Sequence, residues 1–439
     1  MRTTSKQSFS TSAPTSPSPS SRWDPRVWHR KVSRPVSVWM GVFVLVGLVH
    51  TLVPEPRVLL IHIFTLGVLT NSIVVWSQNL TERFLQQKLP DSARPAQLLR
   101  SRVLNAGVVA VLLGHVFSGA GWHWIILWFG AALVVGAVGW HAVGVAKQIA
   151  SADPAKRFRP VVWGYVASGA CLVLGGCFGA ALALDLRGGW QQRVLLAHLL
   201  ANIGGFVGFA AMASLVVLLP AMWRMKAMLT HPRAVFGVMG AGLFAAIAGA
   251  LSNSGLLLGI GVLVYAAAWA WALQTWFAGV LSTSWRERVT YPSMSALLAI
   301  AWLVASLVAF GTSALLIDGY LDALSPPTLP LLAGFAAQLL IGTMSYLMPT
   351  TIGGGPAATR AGLAELNRAG VVRVVVFNAA LLGWLFAPSS IARIVCSIVA
   401  CACLVAFIPL MVRGVRAQRA VIMALSLIHI SEPTRRTPI

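Results

Sequence analysis

Twelve times along this chain a run of mostly apolar residues reaches roughly 20 residues, the length an α-helix needs to cross a hydrocarbon core of about 30 Å. The runs fall at approximately 36–53, 58–79, 103–119, 123–146, 160–184, 191–219, 234–252, 255–281, 293–317, 327–349, 371–388 and 391–411. Backbone polar groups in lipid must be satisfied within the segment, so runs of this length predict helices. With 57% hydrophobic and 10% charged side chains in 439 residues, far below the quarter charged that is usual in soluble domains, little remains for a soluble domain. The expected architecture is all-α, a polytopic integral membrane bundle of about twelve transmembrane helices.

A net charge of +22 would suggest nucleic acid in a soluble protein, but here its distribution decides its meaning. Lys and Arg crowd the segment before the first span, every second connection after it, and the segment after the twelfth span. The alternate connections hold only Arg57, Arg187, Arg193 and Arg393. This asymmetry follows the positive-inside rule, placing both termini in the cytoplasm and making topology, not a nucleic-acid partner, the reason for the charge. Arg far outnumbers Lys, and Ala, Val and Gly abound, which suggests a GC-rich bacterial genome and a multi-pass protein of the cytoplasmic membrane.

Residues 1–35 are rich in Ser, Thr and Pro and read as a disordered basic cytoplasmic arm without a signal peptide. The membrane domain follows at 36–412. Residues 413–424 read as a cytoplasmic segment and the start of a thirteenth span. From about Leu425 the string turns abruptly polar and resembles a translated sequencing-adapter tail, so 425–439 is read as non-native and His429 is not a site residue. The five cysteines, Cys171, Cys177, Cys396, Cys401 and Cys403, lie in apolar spans without a CxxC pair and read as small buried hydrophobes.

No Asp or Glu lies inside an expected span, which leaves histidine as the main ionisable group there. His50, His62, His115, His123 and His198 all fall near the outer ends of their spans, within roughly 8 Å of the boundary at 1.5 Å rise per residue. Imidazoles at one depth point to ligation of haem iron or copper, because an intramembrane ionisable group is costly and usually functional. The competing reading is hydrogen bonding between helices. His123, between Trp122 and Trp124, reads first as part of an interfacial aromatic belt, and His141, near the inner end of its span, as structural. Small residues follow two of the histidines, Gly67, Thr70 and Asn71 after His62, and Asn202, Gly204, Gly205 and Gly208 after His198. They offer either a surface for a macrocycle or ordinary helix packing.

The runs HIFTLGVLTNSIVVWSQ and AHLLANIGGFVGF, with QLLIGTMSYLMPTTIGGGPAATRAGL at 338–363, resemble the amino-terminal membrane region of bacterial membrane-anchored multicopper oxidases and copper nitrite reductase-like proteins. More distantly they resemble the NnrS family and the main subunit of haem–copper oxidases. The resemblance covers about residues 25–420. It implies an oxidoreductase module that binds haem, copper or both and passes electrons between a quinone or cytochrome donor and an external cupredoxin domain of the same full-length chain, this chain being a fragment without that domain. It also implies His62 and His198 as haem axial ligands, with His50 and His115 as further metal ligands; His123, at the same depth, is the remaining metal-ligand candidate. The family pattern places additional histidines where this chain has Leu200 and Asn79, which argues against a full dinuclear haem–copper centre.

Two other classes compete. A secondary transporter often has twelve spans, but it usually couples through intramembrane carboxylates or paired repeats, and no repeat of the first six spans is visible in the last six. A metal-free structural anchor for an external enzyme is the third class. The Gly353–Gly355 turn lacks the Lys and Ser/Thr of a phosphate loop and reads as an interhelical turn. Asn378, Gln338, Tyr265, Trp269 and Trp276 are assigned no function.

Overall fold

A computed structural model describes residues 25–226, 231–316 and 321–431, with the backbone alone at 25–27, 29–30 and 426–431. The arm up to residue 24 and the tail from 432 lie outside the described residues. Among the described residues there is no strand, and twelve helical stretches are long and apolar enough to cross a membrane. They hold α1 (Pro25–Leu48), α2 (Pro56–Phe84), α3 (Asp91–Val116), α4 (His123–Ser151), α5 (Arg159–Leu182), α6 (Trp190–Met222), α7 (Pro232–Leu251), α8 (Gly255–Leu281), α9 (Tyr291–Leu315), α10 (Pro330–Ile352), α11 (Gly370–Phe386, within the stretch Gly355–Phe386) and α12 (Ser390–Val405, within the stretch Ser390–Leu425). Side chains such as Phe244, Leu316 and Ile391 are about three-quarters exposed, an arrangement suited to a lipid surround rather than water.

Several helix boundaries move from their expected places. The first helix begins at Pro25, so the last part of the expected arm is helical, and it ends at Leu48. α2 runs on to Phe84 and carries Glu82 in its last turn, paired with Arg94 at 3.5 Å. After α12 one helix, Phe407–Ser431, covers both the expected segment 413–424 and the start of the expected tail. It packs on a short helix, Gly355–Leu366, through Arg413 Nε and Glu365 Oε2 at 3.0 Å. None of the five cysteines is fully buried as expected: Cys177 and Cys401 are exposed, and Cys171, Cys396 and Cys403 are half-buried.

Helix starts are set by local chemistry. Thr290 and Ser293 form a reciprocal capping box at α9, with Pro292 in the first turn, and Ser254 and Ser389 accept backbone N–H groups at the starts of α8 and α12.

The spans repeat in fours. In α1–α4, α5–α8 and α9–α12 alike, the first helix packs on the second and the third on the fourth, and the units join through α4 with α5 and α8 with α9. The second helix of each unit contains eight residues of π-helix, Ile63–Thr70, Leu200–Val207 and Pro330–Ala337, and the fifth of each eight is glycine, Gly67, Gly204 and Gly334. A widened turn leaves carbonyls displaced from the ladder, and side chains collect them. Thr70 Oγ1 donates to Thr65 O at 2.8 Å, Asn71 Nδ2 to Gly67 O at 2.8 Å, and Tyr265 Oη to Gly204 O at 2.5 Å.

The outer two units share a further device. Trp39 lies on Gly67 and donates Nε1–H to Asn105 Oδ1 at 2.6 Å; Trp302 lies on Gly334 and donates to Asn378 Oδ1 at 2.6 Å. In the middle unit Leu243 takes the place against Gly204. The three π-bearing helices face one another across a central cleft lined by residues such as Ser72, Ser214 and Thr343.

Candidate metal centre

The α1–α2 turn, the start of α2, the end of α3 and the start of α6 meet at one end of the bundle, and their polar side chains form the candidate site. His62 is the last residue before the π segment of α2. Its Nδ1 lies 2.9 Å from Val58 O of its own helix. His115, in the last turn of α3, stands against it with ring centroids 5.1 Å apart and planes inclined by 35°. Glu55 Oε2 approaches His115 Nδ1 at 3.5 Å. His198, on α6, places Nδ1 2.8 Å from Gly175 O of α5 and packs against Gly179. His62 and His198 are close enough to interact electrostatically, as are His115 and His123.

One hydrogen-bonding pattern recurs. His62 and His198 each direct Nδ1 at a backbone carbonyl, and His115 directs Nδ1 at a carboxylate. A carbonyl accepts only, so Nδ1 carries the hydrogen in His62 and His198, leaving the Nε2 lone pair free. Metal-ligating imidazoles are commonly held this way by an outer-shell acceptor.

Of the five histidines expected at one depth, the structure places His62, His115 and His198 at this locus, with His123 beside His115. His123 directs Nδ1 at Ala120 O at 2.7 Å, between exposed Trp122 and Trp124. His50 does not sit in a helix as expected. α1 stops at Leu48, and His50 opens a 3-10 turn where it is exposed and bonded to Gly47 O. His141 is buried at the other end of the bundle against Ser77 Oγ at 2.8 Å.

Two contributors escaped the sequence reading. Glu55 lies in a turn, so a search for acids inside spans passes over it. Its left-handed backbone, φ 43° and ψ 52°, directly before Pro56, is a strained conformation of the kind that clusters at functional sites. The other is α5, whose Gly175 and Gly179 lie one turn apart on one face and admit Asn202 and His198 of α6; that spacing was the available signal.

The residues fit a compact ion better than a porphyrin. The glycines that could have parted helices around a macrocycle are already filled: Gly67 by Trp39, Gly204 by Leu243, Gly205 by Cys171 and Gly208 by Tyr265. By contrast, two imidazoles on one tetrahedral ion, with metal–nitrogen distances of about 2.0–2.1 Å, place their ring centroids roughly 5 Å apart, the spacing of His62 and His115. Among the described residues no three His, Cys, Asp or Glu side chains close into a complete cage; what they present is a pair of facing imidazoles with His198 and Glu55 nearby. Leu200, where the resembled pattern has histidine, instead lines an apolar cavity between α6 and α9 with Leu199, Ile203, Leu307 and Phe310. No protein-family model and no curated protein matches this chain.

Proposed function

We propose that the chain is a membrane-embedded copper-binding module of an oxidoreductase-like protein. In this reading His62 and His115 hold the ion through Nε2, with His198 beside the pair and Glu55 fixing His115. The observation that carries it is the pairing of His62 and His115 at chelating distance, with the other ring nitrogen of each turned to an acceptor. Imidazole suits copper, and bound copper would supply one-electron chemistry. The rest follows from the charge pattern and the resemblance: both termini cytoplasmic, the site near the outer face of a bacterial cytoplasmic membrane, and electrons exchanged with an external copper domain and a quinone or cytochrome donor.

The test is elemental analysis and a reduced-minus-oxidised spectrum of the protein purified from membranes. Stoichiometric copper that is lost in both His62→Ala and His115→Ala, with membrane insertion intact, supports the reading. A haem band lost in His62→Ala and His198→Ala would replace copper by haem. Neither metal would leave a structural anchor or a histidine-coupled transporter.

A further inference from the structure

At the opposite end of the bundle from the histidine pair, α3 and α4 enclose most of a guanidinium. Arg100 is 7% exposed, and its Nε has no hydrogen-bond partner. Its head lies along α4, with Nη1 3.4 Å from where a Cβ on Gly144 would stand and Cζ 5.9 Å from the Trp140 ring centroid. Among the described residues no carboxylate is close enough to act on it. A buried cation without a counter-charge is among the costliest arrangements a fold can hold.

The fourfold helix repeat supplies an internal control. Arg373 precedes Asn378 in α11 by the same five positions that separate Arg100 from Asn105 in α3. Arg373 is held by its own unit through two of its three nitrogens: Nε donates to Arg368 O at 3.2 Å, Nη2 to Leu366 O at 2.6 Å, and the guanidinium lies 3.8 Å from the Tyr291 ring centroid, with Nη1 alone left without a partner. The equivalent position in the first unit has none of these carbonyls.

The neighbours of Arg100 are also left with donors. Gln97, one turn away on α3 and 8% exposed, spends Oε1 on Arg94 Nη1 at 3.3 Å and leaves Nε2 without an acceptor. His141, one turn from Gly144 on α4 and 4% exposed, interacts electrostatically with Arg100, and its Nδ1 has no partner. Ser77 Oγ lies 2.8 Å from His141 Nε2 and 3.3 Å from Val74 O. Giving its hydrogen to the nearer atom puts the imidazole hydrogen on Nδ1. Water could satisfy Gln97 and His141 but would not neutralise Arg100; an anion does both.

We propose that Arg100, Gln97 and His141 form a binding site for a phosphate-type oxyanion between α3 and α4. The forked guanidinium matches two oxygens of such a group, and the amide and imidazole hydrogens meet others. Arg100 lies about 14 Å along α3 from its start at Asp91, within reach of either an inorganic phosphate or the phosphodiester of a lipid that dips between the helices.

The test uses the full chain, purified in a neutral detergent and extensively delipidated. Thermal stability is followed against sodium phosphate at constant ionic strength, and native mass spectrometry reports retained phosphatidylglycerol. Wild type is expected either to be stabilised by phosphate, assigning the free ion, or to retain the lipid, assigning the headgroup. Arg100→Gln loses that response, Gln97→Leu weakens it about ten-fold, and Arg373→Gln keeps it although it too removes an arginine. If Arg100→Gln fails to insert, Gln97→Leu and His141→Phe decide. A wild type that neither responds nor retains lipid, or variants at 97 and 141 that bind as wild type does, overturns the proposal.

Discussion

His62 and His115 face each other across the α2–α3 interface with ring centroids 5.1 Å apart, although fifty-two residues and two helix ends separate them in the chain. What brings them together is the tight turn at Glu55–Pro56, which starts α2 beside the end of α3 and carries the carboxylate that reaches His115. Glu55→Gln keeps the shape of that side chain but removes its charge. Loss of such an outer-shell partner typically costs 10–100-fold in metal affinity, and the same range is expected for copper retention in a chelator titration. Thermal stability should change little, because Glu55 is exposed and such pairs contribute about 0–1 kcal/mol. An unchanged copper affinity would remove Glu55 from the site.

The three π-segment glycines are alike in position and unlike in surroundings, and that difference is measurable. A methyl at Gly67 or Gly334 would fall 2.8 Å or 2.7 Å from an indole ring held by a hydrogen bond. At Gly204 the nearest atom is a flexible Leu243 methyl at 3.3 Å. Overpacking of a fixed neighbour costs about 1–3 kcal/mol. Gly67→Ala and Gly334→Ala should therefore lower thermal stability clearly, and Gly204→Ala only slightly. Equal effects at all three sites would mean that the tryptophans are free to shift.

The twelve spans were legible because lipid allows so few backbone solutions: an apolar run of about 20 residues predicts a helix and little else. A fixed rise per residue also sets His62, His115 and His198 near corresponding ends of their runs, and the structure brings those three ends together. Azimuth was not legible, because the direction in which a ring points depends on which helices pack together, and α5, without a histidine, gave no reason to expect a role. His50 departed because α1 ends at Leu48, a boundary that composition does not mark. The repeat was hidden for a related reason. It has a period of four helices, so comparing the first six with the last six sets unlike helices side by side. Its shared features, such as Trp39 over Gly67 and Trp302 over Gly334, are single residues brought together only by packing.

The two indole–amide pairs offer a direct test of the repeat. Trp39→Phe and Trp302→Phe each delete one N–H and preserve most of the ring that covers the glycine. Asn105 also bonds Asn71 in both directions, Nδ2 to Oδ1 at 2.9 Å and Asn71 Nδ2 to Asn105 Oδ1 at 3.3 Å, whereas Asn378 otherwise bonds only Val374 O of its own helix. Interhelical hydrogen bonds in membranes contribute about 0.6–2 kcal/mol. A double-mutant cycle of Trp302 with Asn378 should return a coupling within that range. The cycle of Trp39 with Asn105 should be less clean, because removing Asn105 also strands Asn71. Zero coupling at both pairs would make the shared geometry a packing coincidence.

Leu200→His tests whether the apolar cavity beside α6 is a metal site that lacks one ligand or a cavity built for other contents. The wall around Leu200 is formed by Leu199, Ile203, Leu307 and Phe310, and the nearby Tyr265 hydroxyl is already committed to Gly204 O. A new imidazole would meet no His, Cys, Asp or Glu in the lining, and its N–H would face walls that are apolar but for the Ser306 and Thr328 hydroxyls. Burying a polar group without a partner costs about 1–3 kcal/mol by protein mutational measures. The variant should lose that much stability and gain no copper or haem over wild type in elemental analysis and spectra. A stoichiometric gain of metal would mean that the cavity opens to a ligand set its resting walls do not present.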